Sequence, residues 1–164
     1  MKVETFYKNV GKFLDECLEK NPNALMYENA DEGVYFAKDR SKAYYAYFLP
    51  NHCVVSAVDV KMPITDKLLS SACKATAYLA DKNKIQYGIN TETGKKVVRV
   101  CNDNGTVSFF NKTYLNKFPD NADYYLKGNF EPMVVGIWDK HDVQLHICGC
   151  VCPIHMTDAV FIAD

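Results

Sequence analysis

The sequence lacks a strong net charge and a long apolar run, and each absence removes a class of protein. Its 19 basic and 20 acidic side chains leave a formal net charge of −1, so no overall field attracts nucleic acid or acidic lipid. Any contact with DNA has to come from a local group of lysines, and it weakens as salt is added. The longest apolar runs fall well short of the roughly 20 residues that a membrane-spanning helix needs. We therefore expect neither a strongly basic nucleic-acid-binding protein nor a membrane protein.

The sequence also lacks the cysteine spacing of a disulfide framework and the apolar segment of a secretory signal. Its seven cysteines are odd in number and scattered along the chain. The N-terminal segment, MKVETFYKNVGKFLDECLEK, is amphipathic and contains acidic residues, unlike a signal peptide. Since disulfides are rare in the cytoplasm, the sequence predicts a cytoplasmic protein.

Tryptophan occurs only once, whereas the chain has 11 tyrosines and 9 phenylalanines. Tyrosine suits half-buried strands, because its ring packs against neighbours while its hydroxyl reaches water. Apolar residues make up 48% of the chain and charged residues 24%, which is the balance of a folded globular protein. A length of 164 residues fits one buried core and is too short for two ordinary domains.

Two amphipathic helices are predicted from apolar residues at helical spacing. The first has Phe6, Val10 and Phe13 on one side and ends before Pro22, because proline cannot continue a helix. The second begins at Pro63 and runs to about Ala80. Lysines lie on the exposed sides of both helices: Lys8 and Lys12 on the first, Lys67 and Lys74 on the second. These lysines are the candidates for a DNA-facing surface, although exposed helix faces commonly carry lysine for solvation alone.

The remaining apolar segments alternate with turn-like sequences and predict strands. They are Ala24–Glu28, Val34–Lys38, Ala43–Leu49, Cys53–Val60, Ile85–Ile89, Lys96–Cys101, Thr106–Phe110, Tyr124–Lys127, Met133–Trp138 and Val143–Cys152, with a short helical segment at Lys112–Phe118. The short separators, including an Asn-Gly pair, indicate antiparallel hairpins. We therefore predict one α+β domain over 1–164, with two helices packed on one face of antiparallel sheets. Its parts are a helix plus four strands (1–61), a helix plus about six strands (62–156) and a C-terminal extension (157–164).

One cluster of metal-binding residue types lies in the last long strand: His146, Cys148, Cys150 and Cys152. Strict alternation predicts that all four side chains point to one side of the strand. Same-side residues in an extended row are nearly 7 Å apart, too far for four ligands to surround one zinc ion. Cysteine is also a common small apolar residue of buried strands. We therefore predict no metal, no other cofactor and no catalytic centre.

From Thr106 onward the order of features resembles the closing segment of a bacterial sliding-clamp domain (the DNA polymerase III β subunit family). A strand runs into Phe110-Asn111, a Tyr114-Leu115 helix start follows, and three strands lead to a proline-containing tail, Pro153–Met156. The resemblance covers mainly 106–156, and earlier residues match only in the order of helices and strands. It implies a single clamp-like module, with two helices backed by curved antiparallel sheet.

The resemblance also implies a function without chemistry. Clamp modules join into a ring around duplex DNA, and the face near the proline-containing tail receives short linear peptides from other proteins. On this basis Pro153, Ile154, His155 and Met156 border a peptide-binding pocket, Lys67 and Lys74 are the better DNA-facing candidates, and the chain self-associates. The extension 157–164 departs from the family, and it either fills a pocket of its own or pairs with a neighbouring chain.

Two other interpretations remain open from the sequence. One is a generic α+β protein-interaction or regulatory domain with no DNA role. The other is a metal-binding protein built on His146 and the three nearby cysteines, which stoichiometric zinc in the purified protein would favour.

Overall fold

The computed structural model describes residues 1–18, 25–29, 33–37, 45–49, 78–139 and 144–164. Within them the elements are α1 (Val3–Leu18), β1 (Leu25–Asn29), β2 (Gly33–Ala37), β3 (Tyr45–Leu49), β4 (Gln86–Asn90), β5 (Lys96–Cys101), β6 (Val107–Asn111), α2 (Lys112–Leu115), β7 (Asp123–Tyr125), β8 (Met133–Asp139), β9 (Gln144–Val151) and β10 (Phe161–Ala163). Short 3₁₀ turns at Lys82–Lys84 and Asp158–Val160 precede β4 and β10. No helix in this part of the chain combines the length and the apolar character that crossing a membrane requires.

The strands form two antiparallel sheets, which confirms an α+β fold that is mostly β. One sheet has the described strands in the order β1-β2-β3-β9-β8-β7, and the other has the order β10-β4-β5-β6. The strand bounds lie within about two residues of the predicted ones wherever both are described. The predicted strand Cys53–Val60 and the boundary at 61/62 lie outside the described residues.

The prediction that the second helix runs to about Ala80 is wrong at its C-terminal end. The rest of the predicted helix lies outside the described residues. Leu79 forms an isolated antiparallel bridge with Tyr125, and Ala80 forms one with Asn102. The Ala80 amide donates to the carbonyl of Tyr124 at 2.7 Å. These extended residues satisfy their backbone groups against neighbouring segments, and this tertiary pairing overrides the helical spacing of the sequence.

Each of the two hairpin turns of the four-stranded sheet contains a glycine, and the second contains the Asn-Gly pair from which the sequence predicts a hairpin. Gly94 and Gly105 have φ of 67° and 82°, in the left-handed region that glycine enters without strain. In the first turn, Asn90 Oδ1 accepts from the amides of Glu92 and Thr93 at 2.9 and 3.1 Å. In the second, the buried Asn102 side chain accepts from Asn104 and Thr106 and donates to the carbonyl of Leu126 at 2.7 Å. Asn102 therefore ties this hairpin to the chain that follows β7.

The larger core cluster includes residues of α1 and of both sheets. Phe6, Val10 and Phe13 of α1 are all buried, which confirms the apolar side of the first helix. The Phe6 ring lies 5.8 Å from Tyr47 and 5.9 Å from Phe118, between ring centroids. Burying each large side chain contributes roughly 1.5–3 kcal/mol, so the amphipathic spacing fixes where α1 packs.

A β-bulge divides β9 between two core clusters. The register of β8 and β9 shifts between Val135, opposite Gly149, and Gly136, opposite Ile147. Cys148 is the extra residue of β9 at this point, and it packs in the larger cluster. Cys150 packs in the smaller cluster with Ala46, Tyr125 and Val134. The strict alternation predicted for this strand is therefore interrupted.

Candidate peptide-binding surface

The chain after β9 connects the two edges of the four-stranded sheet. At the β6 edge, the Ile154 amide donates to the carbonyl of Phe109 at 2.8 Å and the two residues form an antiparallel bridge. At the other edge, β10 pairs with β4. Between these points Asn90 Nδ2 donates to the Met156 sulfur at 3.7 Å. The tail therefore crosses the sheet and is anchored at both ends.

An aromatic pair lies beside the first anchor. The His155 ring stacks on Phe130 with centroids 5.0 Å apart and planes at 20°. Phe130 is 61% exposed, although a large apolar ring usually finds cover. This pair presents a flat apolar surface to solvent.

The loop that carries Phe130 is held against β6 by its neighbour Asn129. The Val107 amide donates to Asn129 Oδ1 at 3.2 Å, and the Ser108 hydroxyl donates to the Asn129 carbonyl. Since Ile154 is also paired to β6 by its backbone, both sides of the aromatic pair have a fixed support. We call Phe130, Ile154, His155 and Met156 the tail surface.

Three of the four predicted peptide-binding residues, Ile154, His155 and Met156, belong to this surface, and Pro153 directly precedes them. His155 is exposed, and Pro153, Ile154 and Met156 are half-buried. Sequence reasoning did not identify Phe130. A signal was available, because Phe130 interrupts the turn-like residues Gly128, Asn129 and Pro132, where a large apolar residue has no obvious packing role.

The predicted DNA-facing lysines divide into two groups. Lys8 and Lys12 are exposed one turn apart on α1, away from the buried Phe6 and Val10. Lys67 and Lys74 lie outside the described residues. The lysines of α1 therefore meet the minimum requirement for contact with a phosphate backbone, which is access to solvent.

The cysteine-rich strand does not present its four candidate ligands on one side, which corrects the sequence prediction. The bulge places Cys148 in the larger cluster and Cys150 and Cys152 with the smaller one, while His146 is exposed. Burial raises the pKa of the Cys148 thiol from 9.0 to about 12, so this thiol is protonated at neutral pH. Within the described ranges, no three His, Cys, Asp or Glu side chains gather closely enough to hold a metal ion.

A cleft of about 200 Å³ lies elsewhere, between β4 and the segment after α2. It is lined by Tyr87, Leu115, Asn116, Phe118, Pro119, Asp120 and Tyr124. Burial raises the pKa of Tyr124 to about 12, so its phenol is neutral near pH 7. The Asp120 carboxylate forms an ion pair with the Met1 ammonium group. The lining is more polar than apolar, and its buried tyrosine is not poised to exchange a proton near neutral pH.

Comparison of the chain with protein-family models, with curated proteins and with solved structures gives no match.

Proposed function

We propose that this chain is a non-enzymatic, sliding-clamp-like module that binds linear peptide segments of other proteins at the tail surface. The observation that carries the proposal is the stacked pair of His155 and the exposed Phe130. It lies beside the Pro153–Met156 segment, where the resemblance to clamp modules puts a peptide pocket. Exposed aromatic residues with polar surroundings are typical anchors of protein–protein contacts.

The supports of the tail surface favour peptide binding because they reduce its entropic cost. Binding is weakened when loops and side chains have to be ordered at the moment of contact. Here the bond from Ile154 to Phe109 and the bonds from β6 to Asn129 hold the two sides in place before any ligand arrives. The Lys127–Glu131 ion pair, with Nζ and Oε2 3.7 Å apart, adds a polar rim beside Phe130.

The clamp-like part of the proposal includes duplex DNA as a second partner. The exposed Lys8 and Lys12 on α1 supply two positive charges on the helix side that faces away from the core. A ring holds DNA by topology, so weak lysine contacts suffice and no base needs to be read. The proposal therefore includes self-association of the module, in the cytoplasm, with its helices toward the DNA.

The peptide-binding proposal is tested with random 12-residue peptides displayed on phage and selected on the immobilised 164-residue chain. A selected peptide is then titrated by fluorescence anisotropy. We expect Phe130→Ala and His155→Ala each to weaken binding by about tenfold, since removing an anchor of this kind costs about 1–2 kcal/mol. Both side chains are exposed, so neither change should unfold the protein.

Trp138→Ala is the matched control, because Trp138 is an aromatic residue of similar exposure, at 48%, on β8. It should bind the selected peptide as the unchanged chain does. If the Phe130 and His155 variants also bind normally, the tail surface is not the peptide site. Peptide binding without any affinity for DNA would favour the generic interaction domain over the clamp-like module.

A further inference from the structure

The edge of β4 already binds the C-terminal residues Thr157–Asp164, which form a 3₁₀ turn at Asp158–Val160 and then the strand β10. Phe161, Ile162 and Ala163 pair antiparallel with Asn90, Ile89 and Gly88. The Thr91 amide donates to the Val160 carbonyl at 2.9 Å, and the Asp164 amide donates to the Tyr87 carbonyl at 2.9 Å. Main-chain bonds of this kind accept any extended segment, so selectivity has to come from side chains. We call Tyr87, Gly88, Thr91, Arg99 and Phe109 the β4 groove.

The first selective element is a socket for an aromatic ring. The Phe161 ring packs on Phe109 with centroids 5.5 Å apart. It lies so close to Gly88 that a Cβ there would be 2.6 Å from a ring carbon and would also clash with the Ile162 carbonyl. Any residue other than glycine would therefore fill the space that the ring occupies. The socket fits a phenylalanine ring in the bound segment.

The second selective element is a cation placed for a carboxylate. Arg99 Nε lies 2.7 Å from Asp158 Oδ1, and the Arg99 side chain is only 21% exposed. A second guanidinium nitrogen, Nη1, donates to Gln86 at 3.4 Å, which orients the group. Arginine with a planar set of donors is well suited to bind a carboxylate. Charge complementarity therefore selects an acidic residue three positions before the aromatic one.

The C-terminal segment is held loosely compared with the core. Its side chains at Ile162, Ala163 and Asp164 are exposed, Phe161 is half-buried, and Asp158 is 64% exposed. Short segments with few buried apolar contacts open at a lower free-energy cost than core strands. The β4 groove can therefore become vacant without unfolding of the sheet.

We propose that the β4 groove is a second peptide-binding site, which takes a segment of a partner protein with an aspartate in one 3₁₀ turn and, three residues later, a phenylalanine that begins a strand. The C-terminal segment is its resident occupant and competes with the partner. This inference goes beyond the proposed function, because the occupant of the groove and the side chains that select it differ from those of the tail surface.

The test uses a fluorescein-labelled peptide with the sequence TDAVFIAD, identical to residues 157–164, and the 164-residue chain. The tethered segment has an effective concentration on the order of millimolar, so the unchanged chain should bind the added peptide weakly. Phe161→Ala and, separately, Asp158→Ala weaken the resident segment. We expect each variant to bind the added peptide at least about tenfold more tightly than the unchanged chain.

Three controls assign the effect to the groove. Adding Gly88→Ala to the Phe161→Ala variant should abolish peptide binding, and the peptide TDAVAIAD should not bind. The Phe130→Ala variant, which damages the tail surface, should behave as the unchanged chain does, so the two sites fail or succeed separately. Circular dichroism confirms folding, and the exposed Asp158 provides a variant with little risk of unfolding. If both weakened variants are folded and bind TDAVFIAD no better than the unchanged chain, the inference is wrong.

Discussion

At the scale of single residues, burial in the larger core cluster raises the pKa of two side chains, Cys148 and Tyr47. Burial raises the pKa of the Cys148 thiol from 9.0 to about 12 and that of the Tyr47 phenol from 10.0 to about 12. Both groups are neutral when protonated, and both lose the proton more readily in the unfolded chain. The folded state therefore binds more protons than the unfolded state between these values, and stability falls as pH rises.

This sign gives a prediction for Cys148. The stability that the buried, protonated thiol contributes is fully present below pH 9, which is the ordinary pKa of a thiol. This stability is lost as pH rises toward about 12. We expect the free energy of unfolding to fall by about 2 kcal/mol more in the unchanged chain than in Cys148→Ala between about pH 8 and about pH 10.5. Urea unfolding followed by circular dichroism at both pH values measures the difference. Equal losses in the two proteins would mean that this thiol titrates normally in the folded state.

At the scale of elements, local patterns could be predicted from the sequence, and long-range pairing could not. The spacing of Phe6, Val10 and Phe13 gave the buried side of α1, and Asn-Gly in the β5–β6 turn gave that hairpin. The β9 bulge depends on which residues of β8 lie opposite it, and periodicity within one strand does not contain that information. The same limit applies to the tail surface: Pro153–Met156 are consecutive in the sequence, whereas Phe130 comes close to His155 only in the fold.

The pairing of β3 with β9 depends on a glycine, which gives a prediction at this scale. Gly149 lies opposite Tyr47, and a Cβ there would lie 2.7 Å from the Phe118 ring and would clash with the Ala46 carbonyl. We expect Gly149→Ala to destabilise the protein by about 3 kcal/mol or more, because overpacking a buried strand moves its backbone.

Gly11→Ala is the matched control for this change. Gly11 lies inside α1, and an added Cβ meets nothing within 4 Å. We expect it to stabilise the protein by about 0.5–1 kcal/mol, since alanine favours helix more than glycine does. Thermal unfolding of the two variants measures both effects. A tolerated Gly149→Ala would argue against the close approach of β3, β9 and Phe118.

At the scale of the whole molecule, the sheets join distant parts of the chain. The strands β3 and β9 pair across most of the sequence, and the tail after β9 then closes both edges of the four-stranded sheet. The tail surface and the occupant of the β4 groove therefore belong to the same continuous segment, the chain after β9. The same segment leaves Lys8 and Lys12 of α1 exposed, so the proposed peptide and DNA contacts would use separate surfaces.

The clamp-like proposal makes a quantitative prediction about DNA. If Lys8 and Lys12 contact phosphates, each should contribute about 0.9 to the slope of log affinity against log salt. A Lys8→Ala, Lys12→Ala variant should then bind a labelled duplex of about 30 base pairs more weakly, with a slope lower by about 2. Anisotropy titrations across a salt series measure both quantities. Lys82→Ala, Lys84→Ala is the control, because those lysines are already ion-paired to Asp123, Asp81 and Asp103 and should change the slope little.

Binding to circular and to linear DNA distinguishes a ring that encircles DNA from a protein that only contacts its surface. A closed ring stays on a circular plasmid at salt concentrations that remove ordinary lysine contacts, and it slides off after the plasmid is cut, because only topology holds it. Electrostatic contact alone is lost equally from circular and linear DNA as counterions compete. We therefore expect the chain to elute with circular but not linearised plasmid in high-salt gel filtration. Equal loss from both forms would leave the peptide-binding proposal intact and remove the ring, because a module that docks peptides at the tail surface does not need to surround DNA.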